Sequence, residues 1–298
     1  MITTASWVRS LRAYSFPASL MPVLVATAVA VTEAGTVAWW TLPVFSISAL
    51  LVHAGTNVLN DYYDYRSGVD RPGDPDPTHV ITRGIVPARF MLISGRVYFA
   101  AGVLVGSVIA PLRGPGFLAA GLAGALAAYG YTNARFSLKY RALGDLAVFI
   151  LMGPALVAMG VWALTGEVPP AAIVAALPLS FFVTAILHGN NLRDIAVDAR
   201  AGVDTVARRL GHRRSTFLFA ALVAGGHLTV ALAVVFGTLP PSALLGLLSA
   251  PLAWRLVRRV LRSRSGAELV DLPLRCAQHH LVFSLLHSAG LLATVAVA

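Results

Sequence analysis

The chain has 298 residues, 57% of them hydrophobic and only 12% charged, about half the charged share of an ordinary soluble domain. This excludes intrinsic disorder and argues against a cytosolic globular enzyme, because the apolar excess needs lipid to face. The formal charge of +10 would point to nucleic acid in a soluble protein; in a membrane protein the question is which side the cations occupy.

A membrane-crossing helix takes about 20 mainly apolar residues. Windows of that length predict nine spans, at 15–32, 38–58, 95–112, 116–132, 143–164, 170–189, 216–236, 241–260 and 279–297. Arg9 and Arg12 ahead of the first span resemble the start of a secretion signal, but the apolar run is long and its lead-in aromatic, so it reads as a retained helix. The segment before span one and the loops joining spans two to three, four to five, six to seven and eight to nine carry 22 of the 23 Lys+Arg, counting the Arg at adjoining span ends; the opposite loops carry Arg113 alone. The positive-inside rule puts the N-terminus and these loops in the cytoplasm, and with the cations on one membrane side no nucleic-acid partner is expected. Of the 13 acidic residues, Glu33 and Glu167 alone fall outside. The single cysteine, Cys276, precludes an intrachain disulfide and reads as packing.

Span two ends in Asn57-Val-Leu-Asn60-Asp61-Tyr-Tyr-Asp64-Tyr-Arg66 and extends to Asp70. At 100° per residue Asn57, Asp61 and Asp64 share one helical face. Span six ends in Asn190-Asn191-Leu-Arg193-Asp194, with Asp198 four residues on, so Asn190, Asp194 and Asp198 also share a face. Asn57 and Asp61 thus recur as Asn190 and Asp194, 133 positions later. The recurrence suggests duplication of a four-helix unit, about 1–140 and 141–265, plus a ninth helix, within one membrane domain. Carboxylates aimed at one place repel and are costly to ionise near a membrane. Mg²⁺ removes that objection, since it takes one or two carboxylates plus phosphate oxygens and water. Two facing arrays are therefore expected to hold a diphosphate through bridging Mg²⁺, with Arg66, Arg193 and Arg208 neutralising the remaining charge.

The loop between spans four and five adds Tyr129, Tyr131, Arg135 and the lone Lys139 on the same side, as candidate contacts to phosphate or to a substrate carboxylate. Tyr62, Tyr63, Tyr129 and Phe149 are candidate cavity aromatics. His53 and His188 are either general bases or hydrogen-bonded core histidines.

The segments NDYYDYRSGVD, YTNARFSLKYRALGD and GNNLRDIAVDARAGVDTVARRLG, with the lead-in RAYSFPASLMPVLV, resemble the UbiA superfamily of intramembrane prenyltransferases. They are most similar to its 1,4-dihydroxy-2-naphthoate polyprenyltransferases of menaquinone synthesis. In the lead-in Arg12, Ser15, Pro17, Pro22 and Val23 match, whereas Ala13 replaces the usual Pro. The resemblance implies an all-α polytopic fold of nine transmembrane helices around a central cavity open to membrane lipid. It implies Asn57, Asp61, Asp64, Asp194 and Asp198 as the Mg²⁺ and diphosphate residues, joined by Asn60, Asn190, Asn191 and Arg193. The implied reaction is Mg²⁺-dependent transfer of a polyprenyl group from polyprenyl diphosphate to an aromatic acceptor, 1,4-dihydroxy-2-naphthoate or a related ring. The expected location is a bacterial inner (plasma) membrane, with the active site on the cytoplasmic side. Gly202-Val203-Asp204-Thr205 lacks the Lys that the family carries after its second motif, and Asn133-Ala134-Arg135 replaces a glycine- and proline-rich turn. These departures leave open a membrane-embedded terpene cyclase or a specialised-metabolism prenyltransferase on the same scaffold. A cation-coupled transporter fits less well, because the acids sit at helix ends and not at mid-span.

Overall fold

The computed structural model describes residues 7–8, 10–33, 35–72, 80–132 and 137–295. The described residues are mainly helical, with no named strand among them. In chain order the helices are α1 (Pro17–Glu33), α2 (Thr41–Ser67), α3 (Ala88–Ser107), α4 (Pro115–Thr132), α5 (Gly144–Thr165), α6 (Pro170–Arg193), α7 (Ile195–Ala201), α8 (Val206–Val235), α9 (Ala250–Arg262) and α10 (Leu272–Leu292). Six stretches are long and apolar enough to cross a membrane: Ala13–Glu33, α2, α3, α5, α6 and α8. The expected spans at 116–132, 241–260 and 279–297 are helical but fall outside that group, each because its apolar run is interrupted. α4 is glycine-rich and ends in tyrosines. α9 is preceded by a 3₁₀ coil, Pro241–Ser249, and carries four Arg; α10 contains His279, His280 and His287.

Two other departures from the expected boundaries shape the site. α2 runs nine residues past the expected end, to Ser67, before Gly68 closes it at φ 74°, so the first carboxylate array lies on the helix itself. α5 contains a π turn at Leu151–Ala155 around Pro154, where proline supplies no N–H and the coil widens.

The main apolar core joins α1, α6, α8 and α10 through residues such as Val25, Leu179, Phe182, Phe219 and Phe283. α2 and α3 meet closely along their length: a Cβ on Gly55 would stand 2.6 Å from the Phe99 backbone nitrogen. Arg113, the single cation of the short loops, donates from Nε to the Ala163 carbonyl at 3.0 Å and from Nη2 to that of Leu164 at 2.8 Å. It caps α5, whose last carbonyls have no partner within the helix.

Gly55→Ala is expected to cost about 1–3 kcal/mol, because backbone, not a movable side chain, occupies the space. Gly124→Ala in α4, where nothing lies within 4 Å, is expected to leave stability unchanged or raise it by up to about 1 kcal/mol. Thermal unfolding of both variants in one detergent checks this; equal midpoints would contradict the close approach of α2 and α3.

Candidate active site

Three parts of the chain build the site. On α2, Asn60 donates to Asp64 Oδ2 at 2.9 Å. Asp61, only 2% exposed, is paired with Arg12 of the N-terminal lead-in at 2.6 Å. Arg12 itself stands in the left-handed region (φ 52°, ψ 46°), a conformation that favours glycine, and this turn brings its guanidinium onto α2. Asn57 donates to the Leu11 carbonyl at 3.1 Å and to Ser15 Oγ at 3.3 Å, so it ties the lead-in to the same face.

The second array survives a break in its helix. Asp194 separates α6 from α7 at φ −96°, ψ 9°, yet its N–H donates to the Asn190 carbonyl at 3.0 Å and the Asp198 N–H donates to the Asp194 carbonyl at 2.8 Å. Asn190, Asp194 and Asp198 therefore keep the common face that their spacing predicts. Arg193 holds Asp194 with two hydrogen bonds of 2.7 Å. Thr205 Oγ1 donates to Asp198 at 3.1 Å and also caps α8 through the Arg208 N–H. Gly266 lies so close to Arg193 that a Cβ there would stand 2.0 Å from its carbonyl oxygen.

The third element is the segment Ser137–Leu143 between α4 and α5. Lys139 Nζ forms an ion pair with Asp64 and donates to Asn60 Oδ1 at 3.0 Å; the Tyr140 hydroxyl donates to the other oxygen of Asp64. Ser137 and Ala142 both take positive φ, 33° and 55°, each a strain of roughly 1–3 kcal/mol. The strain is held from the segment that follows the second array, where the Ala142 N–H donates to the Asp204 carbonyl at 2.6 Å and the Arg141 backbone pairs with that of Asp204. One loop thus grips the first array and the segment leading out of the second.

These groups close one end of a cavity of about 830 Å³ whose walls are otherwise mainly apolar. Asn57, Asn60, Asp64, Asp70, Tyr131, Lys139, Asn190, Asn191, Arg193, Asp194 and Asp198 all line it, together with Arg12. Several expected residues are placed elsewhere. Arg66 is exposed at the end of α2. Arg208 donates to the Val203 carbonyl at 2.6 Å and does not line the cavity. Arg135 lies outside the described residues. Tyr62, Tyr63, Tyr129 and Phe149 are not cavity aromatics: Tyr63 and Tyr129 bond each other at 3.2 Å and Phe149 stacks edge-on against Phe181. The aromatic walls are Tyr14, Phe45, Phe117, Tyr131 and Trp162. His188 is structural, fully buried and fixed by Asp145 at 2.8 Å and the Ser215 carbonyl at 3.2 Å. Asp204, which departs from the family pattern, turns outward to Arg209 at 2.5 Å.

Three groups escaped the sequence reading as site residues. Arg12 was part of the lead-in pattern, Tyr140 followed the highlighted Lys139, and Asp145 supports Asn191 at 3.2 Å. Only Tyr140 carried a sequence signal as a neighbour of Lys139; Asp145 had none.

Electrostatics accounts for the pairings. Burial raises Asp70 to about 8, with Asp64 and Asp61 adding repulsion. Burial likewise raises Asp198 to about 7, Lys139 opposing and Asp194 adding. Burial alone would depress Lys139, but Asp64, Tyr131 and Asp70 together outweigh it and hold the ammonium protonated. Among the described residues no three carboxylate, histidine or cysteine groups stand together as a preformed metal cage. The donor set nevertheless fits a hard cation: it is all oxygen, and Asn190 Oδ1 is a buried acceptor with no hydrogen-bond partner. One or two carboxylates from each array, completed by phosphate oxygens, is the coordination that Mg²⁺ favours.

Residues 19–272 match the UbiA prenyltransferase family. The chain is 33% identical over 273 residues to a 1,4-dihydroxy-2-naphthoate octaprenyltransferase of Mycobacterium tuberculosis, covering 91% of each. It is 31% identical over 291 residues to UbiA prenyltransferase domain-containing protein 1 of Danio rerio, covering 97% of this chain and 84% of that one. A UbiA homologue from Archaeoglobus fulgidus, solved with DMAPP and Mg²⁺, superposes with a TM-score of 0.66 at 15% identity over 98% of this chain and 100% of that one.

Removing Arg12 leaves Asp61 a buried charge without its ion pair. Arg12→Ala is expected to cost roughly 2–4 kcal/mol, below the full value for a buried pair because Arg12 is partly exposed. Adding Asp61→Asn is expected to recover part of that loss, as measured by unfolding of the single and double variants.

Proposed function

Because the chain belongs to the UbiA prenyltransferase family, and so is an integral membrane prenyltransferase, we propose that it moves a polyprenyl group from polyprenyl diphosphate to an aromatic acceptor, 1,4-dihydroxy-2-naphthoate or a close analogue. The observation that carries this reading is the convergence of two oxygen-donor arrays, from α2 and from α6–α7, on one end of an apolar cavity. A lone array would be a solvated helix end. Two, strapped by the Lys139 loop, make a receptor for a diphosphate with a long apolar tail. The name of the Mycobacterium tuberculosis relative supports the acceptor, and the Archaeoglobus fulgidus complex supports a prenyl diphosphate with Mg²⁺.

In the proposed site Asn57, Asp61, Asp64, Asp194 and Asp198 would hold Mg²⁺, with Asn190 presenting its unpaired oxygen. Bound there, Mg²⁺ would draw negative charge onto the leaving diphosphate and so ease cleavage of the allylic C–O bond. Lys139 and Arg193 line the cavity and turn from their carboxylates to phosphate oxygens, stabilising the charge that develops on departure. Asn60, Asn191 and Tyr131 position the head group around them. The apolar walls keep water from the carbocation-like carbon, and the faces of Phe45, Phe117 and Trp162 accommodate positive charge. An electron-rich ring then attacks and loses a proton or, for a naphthoate, carbon dioxide.

The charge asymmetry supports an N-terminus and active site on the cytoplasmic side of a bacterial inner membrane. It also supports membrane placement of α4, the Pro241–Arg262 region and α10, giving nine spans. The recurrence of Asn-x-x-x-Asp at equivalent helix ends supports an ancient duplication.

Product analysis tests the reading. Purified protein offered several prenyl diphosphates, Mg²⁺ and 1,4-dihydroxy-2-naphthoate is expected to yield a prenylated, decarboxylated ring. Asp61→Asn and Asp194→Asn are each expected to lower turnover by about 10²–10³-fold, the scale of losing one preorganised electrostatic contact. Cyclic hydrocarbon or alcohol formed from the diphosphate and Mg²⁺ alone would identify a terpene cyclase instead.

A further inference from the structure

The diphosphate machinery leaves a second polar group in the cavity unused. His53 lies one turn before Asn57 on α2, about 6 Å along the helix axis, and lines the cavity with Ser15 and Ser19 of the lead-in and α1. It sits one turn from the carboxylate end, toward the apolar part of the cavity.

The hydrogen bonds assign the tautomer. Ser15 has one proton and gives it to the Arg12 carbonyl at 2.8 Å, since a carbonyl can only accept. Ser15 Oγ therefore receives from Asn57 Nδ2 at 3.3 Å and from His53 Nε2–H at 3.1 Å. With Nε2 protonated, neutral His53 carries its basic lone pair on Nδ1, and Ser19 donates to it at 2.7 Å. Ser19 Oγ makes no other hydrogen bond among the described residues, so it keeps acceptor capacity on the cavity wall. The charged group facing this triad is Arg12, from the lead-in; Phe16 packs edge-on against the His53 ring at 5.8 Å. A histidine needed only for packing requires no such order. Here Arg12 and Asn57, both at the diphosphate end, lock Ser15, and Ser15 locks the ring with its base toward Ser19.

We propose that Ser19 and His53 form a proton relay that activates a phenolic acceptor, specifically one whose hydroxyl is adjacent to the ring carbon that is attacked. The proposal rests on the prenyl-transfer reading and identifies its acceptor subsite. The acceptor hydroxyl donates to Ser19 Oγ as the Ser19 proton passes to His53 Nδ1. The resulting electron-rich ring carbon forms the C–C bond while the allylic C–O bond breaks with its electron pair left on the diphosphate. The attacked carbon then loses carbon dioxide from its carboxylate, or gives its proton to the departing diphosphate, leaving the electron pair in the ring, and the proton held on His53 returns through Ser19 to the oxygen. The relay is restored, and no co-reactant is consumed. Ser19 is the group in contact with substrate; His53 acts through it and Ser15 positions it.

The test uses the full-length protein in detergent with geranylgeranyl diphosphate, Mg²⁺ and 1,4-dihydroxy-2-naphthoate. Ser19→Ala and His53→Gln are expected to lower kcat by about 100-fold, the scale of a lost general base, with the KM for the diphosphate changed less than about threefold. Ser19→Thr, which retains the hydroxyl, is expected to recover most of the loss. With an acceptor whose adjacent hydroxyl is methylated, wild type and Ser19→Ala are expected to be equally slow. Unimpaired kcat in Ser19→Ala would overturn the relay, and so would equal losses in Ser19→Ala and Ser19→Thr or an undiminished difference on the methyl ether. Should His53→Gln fail to fold, the two Ser19 variants and the methyl ether still decide. An inactive wild type overturns the transfer reading itself, whereas an active wild type with an unaffected Ser19→Ala overturns the relay alone.

Discussion

Carboxylates gathered at the mouth of an apolar cavity must be neutralised before the chain can close around them. Arg12, Lys139 and Arg193 do this for Asp61, Asp64 and Asp194, and they come from three separate parts of the sequence. For the first two the need for compensation acts as a long-range constraint that draws the lead-in and the α4–α5 loop onto α2, whereas Arg193 compensates its own neighbour. Burying an ion pair gains little net stability over an apolar pair, but an unpaired buried charge is severely destabilising. The pairs thus specify the arrangement more than they stabilise it. At Asp70 and Asp198 burial pushes the carboxyls up toward neutrality.

The Lys139 loop shows how the constraint spans the molecule. Its two ends of strain, Ser137 and Ala142, persist because Asp64 anchors one side and the Asp204 carbonyl the other. A chain free to relax would leave the left-handed region. A short strained segment thus ties the end of α2 to the residues that follow the second array. The outward turn of Asp204 follows from the same bond, which takes its backbone inward and leaves its side chain to Arg209.

Periodicity and charge made much of this legible. The arrays were readable because helical spacing puts residues four apart on one face, and that rule held even across the break at Asp194, where the backbone bonds continue. The long apolar runs were readable for the same reason. Boundaries were not: α2 continues through Asp61 and Asp64 because compensated carboxylates no longer resist a partly buried helix. The aromatic walls were misjudged because proximity to an array in sequence says nothing about face. Tyr62 and Tyr63 follow Asp61 directly and are rotated away from it, while Phe45 lines the cavity from the other end of α2 and Phe117 and Trp162 from α4 and α5. Arg66 and Arg208 failed as head-group contacts for the same reason, since charge and nearness in sequence do not fix direction.

Asn57 belongs to both halves of the proposed chemistry. Through its place on the α2 face it belongs to the diphosphate array, and through Nδ2 it orders Leu11 and Ser15. Arg12 has the same double character, its guanidinium on Asp61 and its carbonyl on Ser15. A ligand that draws Asn57 or Arg12 toward its head group pulls on the hydrogen bonds that orient His53. In the proposed reaction, filling the carboxylate end would therefore adjust the acceptor side one turn away, without any helix moving, because the two subsites share the residues that hold them.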